Sequence, residues 1–206
     1  MSVRRILTAL MASMLVCGAS GLAQAQSASS KAQKGAPKPA PAKPETKPAA
    51  AAVVTGSVEP TLIGQFGTWG AYTATPNGKK VCFALAKPSS SKTNPPNRPR
   101  DPAYAFVSTR PAEKVTNEVS VMIGYALKPG SESTLEVGGA SYAMYTQGDG
   151  LWIKNAAEEE RMVDSMRKSA DVVVKGVSAK GTETTDTFSL KGLAQALDRL
   201  AQDCKR

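Results

Sequence analysis

The residue types that most often carry out catalysis are poorly represented in this sequence. The chain of 206 residues contains no histidine, so it can assemble neither a Ser-His-Asp triad nor a Cys-His pair. Its densest acidic run, three glutamates at 158–160, falls where a helix is predicted to begin and where negative charge suits the helix dipole. The Gly-Asp-Gly sequence at 148–150 lacks the further carboxylates of a calcium loop and predicts a hairpin turn. We therefore predict no catalytic residue, no metal site and no cofactor.

A ligand-binding groove could instead be lined by aromatic residues, and five lie at strand spacing: Trp69, Tyr72, Tyr142, Tyr145 and Trp152. Aromatic residues at this spacing more often pack in a core or across a sheet face, and we favour packing. Arg110 lies close in sequence to Glu113 and Glu118, where it could bind an anion or a partner, or form a surface ion pair. Nucleic-acid modules interleave arginines with aromatic residues, whereas the arginines of this chain are scattered.

The interpretation of the three cysteines depends on whether the protein is exported. Cys17 lies within an N-terminal segment that is predicted to be removed, which leaves Cys82 and Cys204. Two cysteines in an exported protein are usually bonded, and two separate buried thiols are the alternative. A bridge would close a loop of about 120 residues, for which chain entropy predicts roughly 4–5 kcal/mol of stabilisation. Because the chain has no histidine, and neither cysteine has a second one nearby, a zinc site is disfavoured.

Residues 1–25 have the layout of a cleavable secretory signal. Two arginines near the N-terminus are followed by an apolar stretch over residues 6–16 and by an Ala-Gln-Ala site ending at Ala25. The apolar stretch is shorter than the roughly 20 residues of a membrane-spanning helix. Lipidation of Cys17 is the less favoured alternative, because Val16 stands where a lipoprotein signal has a small residue. We predict a mature protein in the periplasm or at the outer surface, with no transmembrane segment.

Residues 26–58 form a second predicted segment, a disordered linker rich in proline, alanine and lysine. The segment has no aromatic residue and too little apolar surface to offset its ordering entropy. Its lysines form either a solvated spacer or a weak tether to anionic lipid, lipopolysaccharide or cell wall: Lys31, Lys34, Lys38, Lys43 and Lys47. With the signal arginines, this segment accounts for most of the formal charge of +9, leaving +3 from Gly56 onward. A net charge of +3 over this part of the chain does not provide the concentrated basic face that phosphate binding needs, so we predict no nucleic-acid partner.

Residues 59–206 carry the features of one folded domain of mainly β structure. Apolar residues alternate with period two over several segments, and Asn-Gly and Pro-Gly dipeptides predict turns between them. The five prolines of residues 87–102 predict an irregular loop. Asn155 is predicted to cap an inserted helix, and Ser189 a C-terminal helix whose apolar face includes Cys204.

Several short motifs, in their order and spacing, resemble the invasion associated locus B family of alphaproteobacteria. The motifs are Phe66-Gly-Thr-Trp69, then Val81-Cys82 with aliphatic residues after it, and Phe188-Ser-Leu-Lys-Gly-Leu-Ala-Gln-Ala-Leu197 followed by Cys204. The similarity runs from about Leu62 to Cys204 and leaves out the linker. It implies an exported envelope protein with an immunoglobulin-like antiparallel β-sandwich and a disulfide between Cys82 and Cys204. The family supplies no catalytic residue to carry over, and some members are associated with host-cell invasion.

Binding is the function that these observations favour. We expect an exported, non-catalytic envelope protein that binds a protein or an envelope component, with host interaction as the role that the resemblance suggests. Sheet faces or the loop over residues 87–102 would make the contact. The alternative is a structural or stress-related envelope protein that its basic linker tethers to cell wall or anionic lipid.

Overall fold

The computed structural model describes residues 59–205, which are nearly all of the predicted domain. The predicted signal peptide, the predicted linker and its five lysines lie outside the described residues. Within the described part of the chain, no helix is long and apolar enough to cross a membrane.

Strands make up most of the regular structure, as the alternating sequence predicts. The described residues form eleven strands: β1 Thr61–Phe66, β2 Trp69–Ala74, β3 Val81–Ala86, β4 Ser90–Asn94, β5 Tyr104–Arg110, β6 Val115–Met122, β7 Ser133–Val137, β8 Ala140–Gln147, β9 Gly150–Ile153, β10 Asp171–Val177 and β11 Glu183–Ser189. Helix α1 (Glu159–Lys168) is inserted between β9 and β10, and helix α2 (Leu193–Asp203) follows β11. The prediction of a mainly β fold with one inserted and one C-terminal helix is confirmed.

All eleven strands of the described domain belong to one antiparallel sheet. Their spatial order is β1-β2-β3-β5-β6-β9-β8-β7-β10-β11-β4, so β1 and β4 are the edge strands. The predicted turn between β2 and β3 forms a short 3-10 segment, with Asn77 at φ 52° and Gly78 at φ 75°, left-handed values that these two residue types tolerate. Immunoglobulin domains divide about seven to nine strands between two sheets, whereas this chain keeps its strands in one.

The sheet curves so that one of its faces encloses the main core. Trp69 and Ala71 of β2 share that core with Val172 and Val174 of β10, from the other half of the sheet. The helices add apolar side chains to the same core: Met162, Val163 and Met166 from α1, and Leu193, Ala196, Leu197 and Leu200 from α2. A single sheet thus folds into a β-sandwich. Each large apolar side chain that is fully buried in it contributes about 1.5–3 kcal/mol.

A hydrogen bond joins strands that lie far apart in the order of the sheet. Trp69 of β2 donates its indole N–H to the carbonyl oxygen of Ser189, at the end of β11, over 2.9 Å. Close by, Gly192 has φ 96°, and a Cβ on it would lie 1.9 Å from the carbonyl oxygen of Phe66. The chain can bring these two segments together because this position is glycine.

Two local expectations are wrong. Residues 87–102 are not an irregular loop throughout, because Ser90–Asn94 pair with β11. Their polar side chains lack the apolar alternation by which a strand is recognised. Ser189 does not cap the final helix: α2 begins after Gly192, and the Ser189 hydroxyl accepts the N–H of Lys191 at 3.3 Å.

Candidate binding site

The five aromatic candidates do not come together in one groove. They divide between the two faces of the sheet, Trp69 and Tyr142 in the main core and Tyr72, Tyr145 and Trp152 on the opposite face. On that opposite face Tyr72 stacks on Phe83, with 5.4 Å between ring centroids, and Tyr145 stacks on Trp152 at 5.7 Å. The aromatic residues therefore pack, as their spacing predicts, and do not form a common ligand site.

Exposed apolar surface is sparse on the opposite face as well. A second apolar cluster lies there: Ala74, Val81, Phe83, Phe106 and Met122, edged by Tyr72, Leu85 and Tyr104. Leu62, at 51% exposure, and Tyr145, at 45%, are the exposed large apolar side chains among the described residues. Five strands lie between their strands, β1 and β8, in the order of the sheet. Two apolar residues so far apart do not make a docking patch.

Of the alternatives predicted for Arg110, the structure shows the ion pair, but the arginine is largely buried and does not lie on the surface. Its guanidinium donates to both carboxylate oxygens of Glu118, at 3.0 and 2.8 Å, to Glu113 at 2.7 Å and to Ser108 at 3.2 Å. Only 7% of Arg110 is exposed. The hydrogen bonds with Glu118 are the chief reason that the pKa of Arg110 is raised above its ordinary value. Four of the five guanidinium N–H groups of Arg110 are thus engaged within the domain, which leaves little of this side chain for an anion or a partner.

The glutamate run at 158–160 lies at the start of the inserted helix, as predicted. Asn155 accepts the N–H of Ala157 at 3.2 Å and so caps the short 3-10 turn Ala156–Glu158 that leads into α1, whose own N-cap residue is Glu158. Glu159 accepts the backbone N–H of Val119 at 2.8 Å, and its burial raises the pKa of its carboxyl group. The three glutamates therefore have local structural contacts or helix-dipole roles, and they do not converge on one another.

Cys82 and Cys204 form the predicted disulfide. Cys82 lies on the core side of β3 and Cys204 directly after α2, and their Cα atoms are 6.1 Å apart. The bond joins residues 122 positions apart. Both sulfur atoms belong to the main core cluster, so the bond fastens the C-terminal helix to the sheet.

The Gly-Asp-Gly sequence at 148–150 forms the predicted hairpin turn, between the paired strands β8 and β9. In residues 59–205, no group of three or more His, Cys, Asp or Glu side chains is placed to hold a metal ion.

A cavity of about 530 Å³ opens beside the edge strand β4. Three segments form its walls: residues 93–100, residues 125–126 and the β10–β11 hairpin over residues 178–184. Its volume falls within the range of about 300–1,000 Å³ that is common for small-molecule sites. The expected contact loop over residues 87–102 thus supplies one wall of a cavity.

That wall is held in place by a buried ion pair. Arg100 donates to both carboxylate oxygens of Asp186 in β11, one of them at 2.7 Å, and to the carbonyl oxygen of Ile123 at 2.9 Å. The exposed fractions of the two side chains are 11% for Arg100 and 0% for Asp186. A two-pronged arginine–carboxylate contact fixes direction as well as distance. The cavity is therefore preformed on its β4 side.

The opposite wall contains a hydrogen-bonded tyrosine. The hydroxyl of Tyr125 lies 2.6 Å from that of Thr184, which itself donates to the carbonyl oxygen of Gly176 at 3.4 Å, so the tyrosine supplies the proton of the shorter bond. Burial raises the pKa of Tyr125. The hydroxyl is therefore protonated at neutral pH. This wall was not predicted from the sequence. The only sequence signal near it is the turn-forming dipeptide Lys180-Gly181.

Together the fold and the cavity define a disulfide-linked β-sandwich with a preformed pocket at one sheet edge. A protein-family model described as Invasion associated locus B (IalB) protein matches residues 69–201, and the chain belongs to that family. The family resemblance read from the motifs is thereby confirmed. Comparison with curated proteins and with solved structures finds no match.

Proposed function

We propose that this protein is exported to the periplasm or the outer surface and acts there by binding a protein or an envelope component, without catalysis. Family membership, the signal-like N-terminus and the Cys82–Cys204 bond support export, because structural disulfides persist in oxidising compartments. A sequence without histidine supports binding over catalysis. Host interaction is the specific role that the family description suggests.

The observation that carries this proposal is the cavity beside β4. Residues 93–100 form one wall of it and belong to the segment that the sequence indicates as a contact loop. Arg100 holds that wall against Asp186, so little of the loop needs to be ordered when a ligand arrives. A preorganised site of this kind loses less entropy on binding, which favours affinity.

Photocrosslinking in the native envelope tests the binding function. The full chain carries a photoreactive amino acid in place of Thr182, which lines the cavity. A matched variant carries it in place of Thr61, on the opposite edge strand β1. We expect a discrete envelope component to be captured from position 182 and not from position 61. Equal products from both positions, or none from either, would overturn the proposal.

The second candidate function is attachment to cell wall or anionic lipid through the basic linker. It is supported by five lysines against one glutamate within residues 26–58, which lie outside the described part of the chain. Charge attraction of this kind is screened by salt. Two full-chain variants test it, one lacking residues 31–47 and one with all five lysines replaced by glutamine. Release of both from envelope fractions at low salt supports the tether, and retention of both rules it out.

A further inference from the structure

We propose that the cavity beside β4 binds an oxyanion, a phosphate or carboxylate group carried by a sugar-sized molecule, through Arg98 and Lys180. The inference rests on the proposed binding function and names the ligand chemistry of that site. Arg98, Arg100 and Lys180 line the cavity, and none of the described residues that line it is acidic. The site therefore carries an excess of positive charge at one concave surface, which attracts anions.

The three cations differ in how they are engaged. Arg100 is committed to Asp186 and contributes little net charge to the cavity. Arg98 and Lys180 are exposed, and among the described residues neither side chain has a hydrogen bond or an ion pair. Two unpaired cations on one cavity repel each other, and an anion placed between them removes that repulsion. The uncommitted pair is thus the anion-binding element.

Hydroxyl groups at the same cavity have protons to donate. Ser178 Oγ accepts the backbone N–H of Thr182 at 3.0 Å, and Thr93 Oγ1 accepts that of Arg98 at 3.2 Å. Each oxygen already serves as an acceptor, and within residues 59–205 neither hydroxyl proton has an acceptor of its own. Hydrogen bonds from a hydroxyl to an ionised oxygen are among the strong ones. Both hydroxyls are therefore able to donate to an anion that is bound in the cavity.

The size of the cavity indicates that the anion is one end of a larger ligand. At about 530 Å³ the cavity holds much more than a single phosphate or carboxylate group. Its remaining lining includes the ring of Tyr125 and the apolar side chains of Pro99, Ala126 and Ala179. Aromatic and small apolar side chains next to polar donors suit the faces of a sugar ring. An acidic or phosphorylated sugar fits this combination.

Another cleft of the domain shows that this charge pattern is local. A cavity of about 500 Å³ beside α1 is lined by Glu159, Glu160 and Asp164, with Arg167 as its cation. An anion would be repelled there by the carboxylates. The preference for an oxyanion thus belongs to the β4 cavity and does not follow from the overall charge of the protein.

Calorimetric titration of the exported protein, with its disulfide intact, tests the site. The probes are glucose 6-phosphate, glucuronate and uncharged glucose. We expect at least one anionic sugar to bind about tenfold or more tightly than glucose, with an affinity that falls as salt is raised. A stronger response to glucose 6-phosphate identifies phosphate as the group, and a stronger response to glucuronate identifies carboxylate.

Matched double variants locate the binding. Replacing Arg98→Gln and Lys180→Gln together should weaken the anionic sugar about tenfold or more, the scale of two charge-assisted contacts. Replacing Lys79→Gln and Lys168→Gln, two exposed lysines away from the cavity, removes the same net charge and should leave the affinity unchanged. Circular dichroism of both variants verifies that they are folded.

Two results would overturn the oxyanion site: no binding of either anionic sugar, or equal weakening in both double variants. The crosslink from position 182 then separates this inference from the proposed function. If the crosslink persists without anion binding, the ligand chemistry is wrong and the binding function stands. If both fail, both proposals are wrong.

Discussion

The domain is fastened by different means in two regions. In the first, which we name the disulfide region, Cys82 of β3 is bonded to Cys204 after α2. In the second, the cavity region, Arg100 and Asp186 hold residues 93–100 against β11. A disulfide stabilises mainly by restricting the unfolded chain, whereas a buried ion pair acts in the folded state and fails when either charge is lost. The first region therefore supplies stability, and the second gives shape to a cavity.

The largest expected effect lies in the disulfide region. Replacing both Cys82 and Cys204 with alanine removes a bond that closes a loop of 122 residues. The free energy of unfolding should fall by up to about 5 kcal/mol, the chain-entropy value for a loop of this length. Urea denaturation of the oxidised protein and of the alanine variant measures the loss. If the oxidised protein and the alanine variant have equal denaturation midpoints, the disulfide does not stabilise the domain, and the contrast between the two regions fails.

Asp186→Asn is the matching change in the cavity region. It leaves Arg100, only 11% exposed, beside an uncharged partner, and breaking a buried pair in this way costs about 3–5 kcal/mol. Asp198→Asn is the control, because it removes a carboxylate that is 67% exposed and lies 3.0 Å from Arg167. The control should lose no more than about 1 kcal/mol. Equal losses in the two variants would mean that the Arg100–Asp186 pair is not a fastening element.

A substitution with an effect of intermediate size tests the hydrogen bond that joins β2 to the end of β11 and so closes the curved sheet. Trp69→Phe removes the hydrogen bond from the indole to Ser189 and part of a buried ring. Trp152→Phe removes a similar volume from a ring that is 5% exposed and has no hydrogen bond within the described residues. Trp69→Phe should be the more destabilising of the two by about 1 kcal/mol, the net value of one hydrogen bond. Thermal denaturation of both variants measures the difference, and no difference would contradict the closure.

The smallest expected effect is a pH dependence of stability that comes from Glu159. This residue lies near the disulfide region, because Arg167 lines one cleft together with Cys204 and a second cleft together with Glu159. Burial raises the pKa of Glu159 in the folded protein. The folded state therefore binds a proton more tightly than the unfolded state, and stability falls as pH rises above the ordinary range of a glutamate. Glu159→Gln should abolish this decline.

Denaturation midpoints of wild type and Glu159→Gln, taken at pH 4 and pH 7, measure this effect. Relative to the wild type, the Glu159→Gln variant should be more stable at pH 7 than at pH 4. A stability difference between the two proteins that is the same at both pH values would show that Glu159 does not titrate with a raised pKa. Glu160→Gln, which changes an exposed neighbour, is the control and should follow the wild type.

Local chemistry explains why much of the fold is predictable. Asn77-Gly78 turns the chain because both residue types accept left-handed backbone angles, and Asn155 caps because its side chain reaches a free N–H. The Cys82–Cys204 bond is predictable for a different reason: with Cys17 assigned to the signal only two cysteines remain, two cysteines in an exported protein are usually bonded, and the family motifs imply the same bond.

The strand Ser90–Asn94 was not predictable, because its polar residues form a strand only through pairing with β11. The β4 cavity was only half predictable for the same reason. Its Arg98 lies in the segment that the sequence indicates, but Lys180 is about 80 positions away and lines the same cavity only when β4 and β11 pair.

By itself, the sequence determined the mainly β class, the two helices, the lack of histidine-based chemistry and the family, because periodicity, capping residues, composition and motif order are local properties. Tertiary structure alone decided that the strands form one curved sheet and that Arg98 and Lys180 line the same cavity. Those features depend on contacts between residues distant in the chain, and no local pattern encodes which distant partners will meet.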